Sequence, residues 1–174
     1  RVSGLSEGYY ELEEITAPEG FVLDSTRHGV HIDPYDPATE DDPVLTIVNE
    51  AKPSLRIVKY DRQSGKPLAG VTFEVYRDTV LVGNYTTDDG GEILLSSLTP
   101  GTYAVKEVAA PGTHVVNSSP QQIELKAGNT ETATLIFFNS MKPGIHLVKV
   151  DSETMKPLPN ATYLISQVGG TFSK

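Results

Sequence analysis

The stretch LRIVKYD, residues 55–61, sets the reading of the whole chain. Ile57, Val58 and Tyr60 favour the pleated, half-buried surface of a strand. Alternation puts Leu55, Ile57 and Lys59 on one face and Arg56, Val58 and Tyr60 on the other. The first face is the inner one, because Leu55 and Ile57 are apolar. A lysine that ends such a row must find a partner or lose its proton, because an unpaired buried charge is costly.

The same stretch exposes a repeat. NEAKPSLRIVKYDRQSGKPLAGVTFEVY starts at Asn49, and NSMKPGIHLVKVDSETMKPLPNATYLIS starts at Asn139. The offset between these starting residues places Lys149 opposite Lys59. A second pair, SGLSEGYYELEEITAPEGFV from Ser3 and SSLTPGTYAVKEVAAPGTHV from Ser96, places Tyr10 opposite Tyr103 and Glu14 opposite Glu107. Residues 1–51 are read as the back of one repeat, 52–141 as a complete repeat, and 142–174 as the front of a third. The first residues read like the middle of a domain, and neither end piece alone can bury its apolar rows, so both are expected to belong to larger neighbouring domains. The less favoured alternative docks the front piece of one chain onto the back piece of another, where Lys149 meets Asn49 and Glu14. KPS and KPG mark the junctions.

Turn signals in the complete repeat (SGKPLAG, DDGG, TPG, APG and KAGN) separate short apolar runs. Strands are predicted near 54–60, 70–77, 79–86, 92–97, 102–109, 120–126 and 131–139. No long stretch keeps a helical apolar period, and no βαβ alternation is present. The expected fold is all-β, an antiparallel immunoglobulin-like sandwich repeated in tandem.

Composition narrows the function. The 174 residues carry 14 Lys and Arg against 23 Asp and Glu, a formal net charge of −9. Nucleic acid and anionic membrane surfaces are poor partners for such a chain. No apolar run is long enough to span a bilayer, and no N-terminal signal pattern appears. Cysteine is absent, so disulfides and thiolate chemistry are ruled out. G-x-S-x-G, phosphate-loop and H-E-x-x-H motifs are missing. The four histidines, His28, His31, His114 and His146, show no zinc spacing; strand alternation separates the rings of His28 and His31. Asn84, Asn117 and Asn160 lie in N-x-S/T sequons and are read as surface residues. No metal or cofactor is expected. The acidic loop DPYDPATEDDP, with Asp33, Asp36, Glu40, Asp41 and Asp42, is read as solvated, its spacing being unlike a calcium loop.

Two further polar residues end apolar rows. Tyr103, Val105 and Glu107 share a face, as do Tyr10, Leu12 and Glu14. Ala133, Leu135, Phe137 and Asn139 share a face, matched by Leu45, Ile47 and Asn49. A strand end that reaches solvent accounts for each alone. Together, an amine, a carboxamide and a carboxyl group form a complete set for amide exchange. Desolvation lowers the pKa of Lys59 and so frees its lone pair. Asn139 supplies the electrophilic carbon. Glu107, its pKa raised by burial, is expected to donate to the asparagine carbonyl oxygen and to carry a proton to departing ammonia.

The segments IVKYDRQSGKPLAGVTFEVY, YAVKEVAAPG and TLIFFN resemble collagen-adhesin B-type (CnaB-like) domains of Gram-positive surface adhesins and pilins. The resemblance implies an intramolecular isopeptide bond between Lys59 and Asn139, assisted by Glu107. It implies half-sites at Asn49 with Glu14 and at Lys149. It also implies an extracellular, cell-wall-attached stalk segment, not a turnover enzyme, with neighbouring repeats as partners. A module that binds a host or matrix protein through its loops is the alternative. APGTHVV departs from the family's usual APEGY.

Overall fold

The computed structural model describes residues 2–34 and 43–171 and divides the chain into two units, one up to Lys142 and one from Pro143. Asp36, Glu40, Asp41 and Asp42 of the acidic loop lie outside the described residues.

Among the described residues the first unit holds nine strands: β1 (Gly8–Leu12), β2 (His28–Ile32), β3 (Leu55–Asp61), β4 (Thr72–Arg77), β5 (Val80–Thr86), β6 (Glu92–Leu95), β7 (Gly101–Ala109), β8 (Gln121–Leu125) and β9 (Ala133–Asn139). There is no helix among the described residues. The seven strands from β3 onward match the seven expected. They form a three-stranded sheet, β6-β3-β9, and a four-stranded sheet, β5-β4-β7-β8.

Alternation decides the core. Leu55 and Ile57 of β3, Ile93 and Leu95 of β6 and Leu135 and Phe137 of β9 are buried from one sheet. Phe73 and Val75 of β4, Tyr103 and Val105 of β7 and Leu125 of β8 are buried from the other. Phe73 and Phe137 meet across the gap with ring centroids 4.9 Å apart. The Tyr103 hydroxyl, whose residue is 1% exposed, donates to the Thr99 carbonyl at 2.8 Å, so the ring is buried without stranding its polar end.

One pairing is parallel. β3 runs alongside β9 in the same direction, with Leu55 opposite Ala133 and Asp61 opposite Asn139. The two strands therefore end side by side, at the same edge of the sandwich. Every other strand pair among the described residues is antiparallel.

Residues 2–34 repeat part of this pattern. β1 pairs with β2, with Gly8 opposite Ile32, as β7 pairs with β8 with Gly101 opposite Leu125. The strand expected over Leu45, Ile47 and Asn49 is not formed. Its counterpart β9 owes its ladder to β3, and among the described residues no such neighbour lies beside 43–50. Leu45 and Ile47 are consequently 39% and 36% exposed, where their counterparts Leu135 and Phe137 are buried. In the second unit Asp151 caps a turn through the Thr154 amide at 2.7 Å, and Val150 bridges to Pro157. The same turn follows β3, where Asp61 accepts the Ser64 amide at 2.6 Å and Tyr60 bridges to Pro67.

Candidate functional site

The inner rows of β3, β7 and β9 each turn from apolar to polar near their ends. β3 continues from Leu55 and Ile57 to Lys59, β7 from Tyr103 and Val105 to Glu107, and β9 from Leu135 and Phe137 to Asn139. These three side chains converge. Lys59 and Glu107 are 0% exposed and Asn139 is 1% exposed. The Lys59 Nζ donates to Glu107 Oε2 at 2.9 Å and to Asn139 Oδ1 at 2.7 Å. The Asn139 amide nitrogen donates to Glu107 Oε1 in a short hydrogen bond. The trio is closed: each member bonds the other two.

Its walls are aromatic. The Phe73 and Phe137 ring centroids each lie 5.9 Å from the Lys59 Nζ. Burial pushes the Lys59 amine below its usual value of 10.5, and the bond to Glu107 opposes that shift. Desolvation has this sign because it penalises the charged form of a lysine. The Lys59 backbone is fixed on both sides, its N–H donating to the Gly91 carbonyl at 2.8 Å and its carbonyl accepting from the Leu68 amide at 2.9 Å.

The atoms are suited to amide exchange, with one difference from expectation. Glu107 does not face the asparagine carbonyl oxygen. It spans the amine through Oε2 and the amide nitrogen through Oε1. The carbonyl oxygen instead accepts from Lys59 itself.

The half-sites are placed as follows. The Asn49 amide nitrogen donates to Glu14 Oε2 at 2.6 Å and to the Val22 carbonyl at 3.0 Å. The Asp24 amide donates to the same Glu14 oxygen at 2.7 Å. Lys149 belongs to the second unit, where it is exposed and its carbonyl accepts from the Leu158 amide at 2.9 Å.

Among the described residues no group of three His, Asp or Glu side chains gathers as metal ligands. His28 lies 2.6 Å from Asp24, and His31 lies 3.0 Å from Asp33. His114 went unrecognised in the sequence. It is buried, and its Nε2 donates to Asp61 Oδ2 at 2.9 Å. The available signal was Asp61, which shares the inner face of LRIVKYD and needs a donor there.

A family comparison matches residues 1–47 and 53–136 to the SpaA prealbumin-like fold domain, a span that includes Lys59 and Glu107 and ends before Asn139. The chain belongs to that family. Comparison with curated proteins gives no match. Among solved structures, the chain is similar to the Bacillus anthracis TIE protein, with 29% identity and a TM-score of 0.50. That match covers 79% of this chain but only 26% of the other. It is also similar to BcpA, the major pilin subunit of Bacillus cereus, at 19% identity, TM-score 0.49, 53% of this chain and 29% of that one. A third is the shaft pilin spaA from Lactobacillus rhamnosus GG, D295N mutant, at 18% identity, TM-score 0.46, 62% of this chain and 58% of that one.

Proposed function

We propose that this chain is a load-bearing stalk segment of a pilin or adhesin on a Gram-positive cell surface, stabilised by a self-formed bond between Lys59 and Asn139. The observation that carries this reading is the closed Lys59–Glu107–Asn139 trio inside the apolar core. Membership of the SpaA family and the tandem repeat support the structural role.

The chemistry follows from the contacts. A proton passes from the Lys59 Nζ to Glu107 Oε2, which exchanges a buried ion pair for an amine and a carboxylic acid. The walls favour that exchange, since they cannot solvate charge. The Nζ lone pair then attacks the Asn139 Cγ. Glu107 protonates the amide nitrogen, the Cγ–Nδ2 bond breaks, and ammonia leaves. Glu107 takes a second proton from the Lys59 nitrogen and passes it to the departing ammonia, which leaves as ammonium, so the carboxylate is restored. One amide bond forms and one breaks, without cofactor or turnover. Holding the reacting groups together replaces an encounter in solution, an advantage that reaches several orders of magnitude in rate.

The bond closes a segment of 80 residues. By analogy with disulfides, closing a loop of that size removes about 4–5 kcal/mol of denatured-state entropy. For a core made by one small sandwich this is a large share of total stability. Intact-mass measurement of the 174-residue chain tests the reading. The expected mass is one ammonia below the sequence mass, restored by Lys59→Ala or Asn139→Ala. A wild-type chain at full sequence mass would overturn it.

A further inference from the structure

The three reactive residues sit near the ends of separate strands, so something must hold those ends in register. The segment after β7, Pro111–Val115, reaches all three. It continues the strand that carries Glu107. Its backbone pairs with the chain just beyond Asn139: the Val115 amide donates to the Ser140 carbonyl at 2.9 Å, and the Lys142 amide donates to the Thr113 carbonyl at 2.8 Å. Its side-chain link is His114, whose Nε2 donates to Asp61 Oδ2 at 2.9 Å. Asp61 lies two residues past Lys59 on the same face and directly opposite Asn139 in the ladder. The Arg62 amide closes the same corner, donating to the Asn139 carbonyl at 2.9 Å.

We propose that His114 is a positioning residue for the Lys59–Asn139 bond, clamping the end of β3 to the segment that joins β7 to the exit of β9. His114 touches none of the reacting atoms. It acts through Asp61, whose other oxygen accepts the Ser64 amide at 2.6 Å, so the carboxylate is fixed from both sides. Both clamp residues are nearly excluded from solvent, with Asp61 6% and His114 9% exposed. A buried bond between charged or polar groups has a sharp geometric optimum and holds its partners more firmly than apolar contact does.

The first repeat shows the backbone half of this device without the side-chain half. Phe21 stands where His114 does; it bridges to Ala51, and the Lys52 amide donates to the Gly20 carbonyl at 2.8 Å. Phe21 is 40% exposed and has no hydrogen-bonding side chain. The histidine is therefore not needed for the turn itself. What it adds is the tie to β3.

This inference rests on the bond-forming reading above, and the test separates the two. The 174-residue chain is made by cell-free synthesis, quenched in denaturant at intervals, and weighed intact for ammonia loss. His114→Phe, which supplies the first repeat's residue, is expected to slow bond formation about tenfold, as small misplacements of reacting groups do. His114→Gln, which keeps a donor near the position of Nε2, is expected to restore most of the rate. Asp61→Asn, which keeps a carbonyl for the Ser64 amide, is expected to slow it as well. Leu95→Ala is the control for general destabilisation, since Leu95 packs beside Leu55 at the opposite end of β3. Wild-type rates in His114→Phe overturn the positioning role, as do equal losses in His114→Phe and Leu95→Ala, or failure of His114→Gln to rescue. If the wild-type chain itself keeps its ammonia, the bond-forming reading falls and this one falls with it.

Discussion

Lys59 Nζ and Asn139 Oδ1 stand 2.7 Å apart at the polar end of an otherwise apolar core, 80 residues apart in sequence. The parallel pairing of β3 and β9 produces this meeting. Asn139 is opposite Asp61, so the Lys59 side chain reaches one pleat forward to find it. An antiparallel pair of first and last strands would not bring the ends of both together at one edge.

Glu107 is the proton carrier in the proposed reaction, so Glu107→Gln should block it while leaving the shape intact. The glutamine keeps one oxygen for the Lys59 amine but cannot take its proton. A buried amine facing a neutral amide costs about 1–3 kcal/mol relative to the satisfied trio. The expected protein is folded by near-ultraviolet circular dichroism, less stable to urea, and at full sequence mass. Complete ammonia loss in this variant would remove Glu107 from the mechanism.

Force should divide wild type from variant more sharply than heat does. Tension applied through Lys52 and Met141 enters the start of β3 and leaves the end of β9. With the bond in place it crosses from Lys59 to Asn139 and never loads the residues between. Lys59→Ala should release them, adding roughly 270 Å of contour at about 3.4 Å per residue. Single-molecule pulling that shows this extension in the wild-type protein contradicts the load path.

Much of this site was legible because strand parity is simple. Leu55, Ile57 and Lys59 share a face in any strand, and the same holds for the rows ending in Glu107 and Asn139. Parity carries no information about a neighbour's direction, so the parallel β3–β9 pair was not visible. Nor does it say which atoms a carboxyl group meets, and Glu107 bonds the amide nitrogen where the carbonyl oxygen was expected. The row Leu45, Ile47 and Asn49 has the right pattern but forms no strand, because a strand needs a partner ladder as well as a pattern. Val58 alternates outward yet is 6% exposed, an effect of neighbours on the outer face that no single strand encodes.

Acid should reveal the clamp. Hydrogen bonds from Ser64 first, and then from His114, hold the Asp61 carboxyl down to about 2 from its usual 3.8. A depressed carboxyl pKa stabilises the fold fully above the unfolded value and loses that contribution as pH falls towards the folded one. Urea midpoints for Glu107→Gln and for the double variant with Asp61→Asn, neither able to cross-link, should differ at pH 5 and converge as the pH falls to about 2. Asp24, lowered to about 2 by Thr26 and His28, titrates in the same window but is common to both proteins. Curves that stay parallel down to pH 2 would deny Asp61 this role.

The aromatic walls should matter to rate as well as to stability. Phe137 is 2% exposed, packs on Phe73 and flanks the Lys59 amine. Phe137→Ala should cost about 3–5 kcal/mol through the cavity it leaves. It should also admit water to the amine, favour the ammonium form and slow ammonia loss. Phe137→Leu refills most of the space with apolar atoms and should recover both. If Phe137→Ala forms the bond at the wild-type rate, desolvation by this ring is not what frees the amine.

Gly91 gives the most local test of how Lys59 is held. Its φ is +71°, a conformation that residues with a Cβ enter at a cost of about 1 kcal/mol. A Cβ there would also lie 2.7 Å from the Lys59 carbonyl oxygen and 2.9 Å from the Leu68 nitrogen, inside contact distance of both. The backbone of Lys59 or the turn carrying Leu68 must move to admit it. Gly65 separates the two effects: its φ is +67°, and a Cβ there meets nothing within 4 Å. Gly65→Ala should therefore show the conformational cost alone, about 1 kcal/mol by urea unfolding, with ammonia loss at the wild-type rate. Gly91→Ala should cost more than that and slow ammonia loss, because the displaced backbone is the one that aims the amine at Asn139. Equal stability losses in the two variants, or an unchanged rate in Gly91→Ala, would mean that the strand absorbs the clash without moving Lys59.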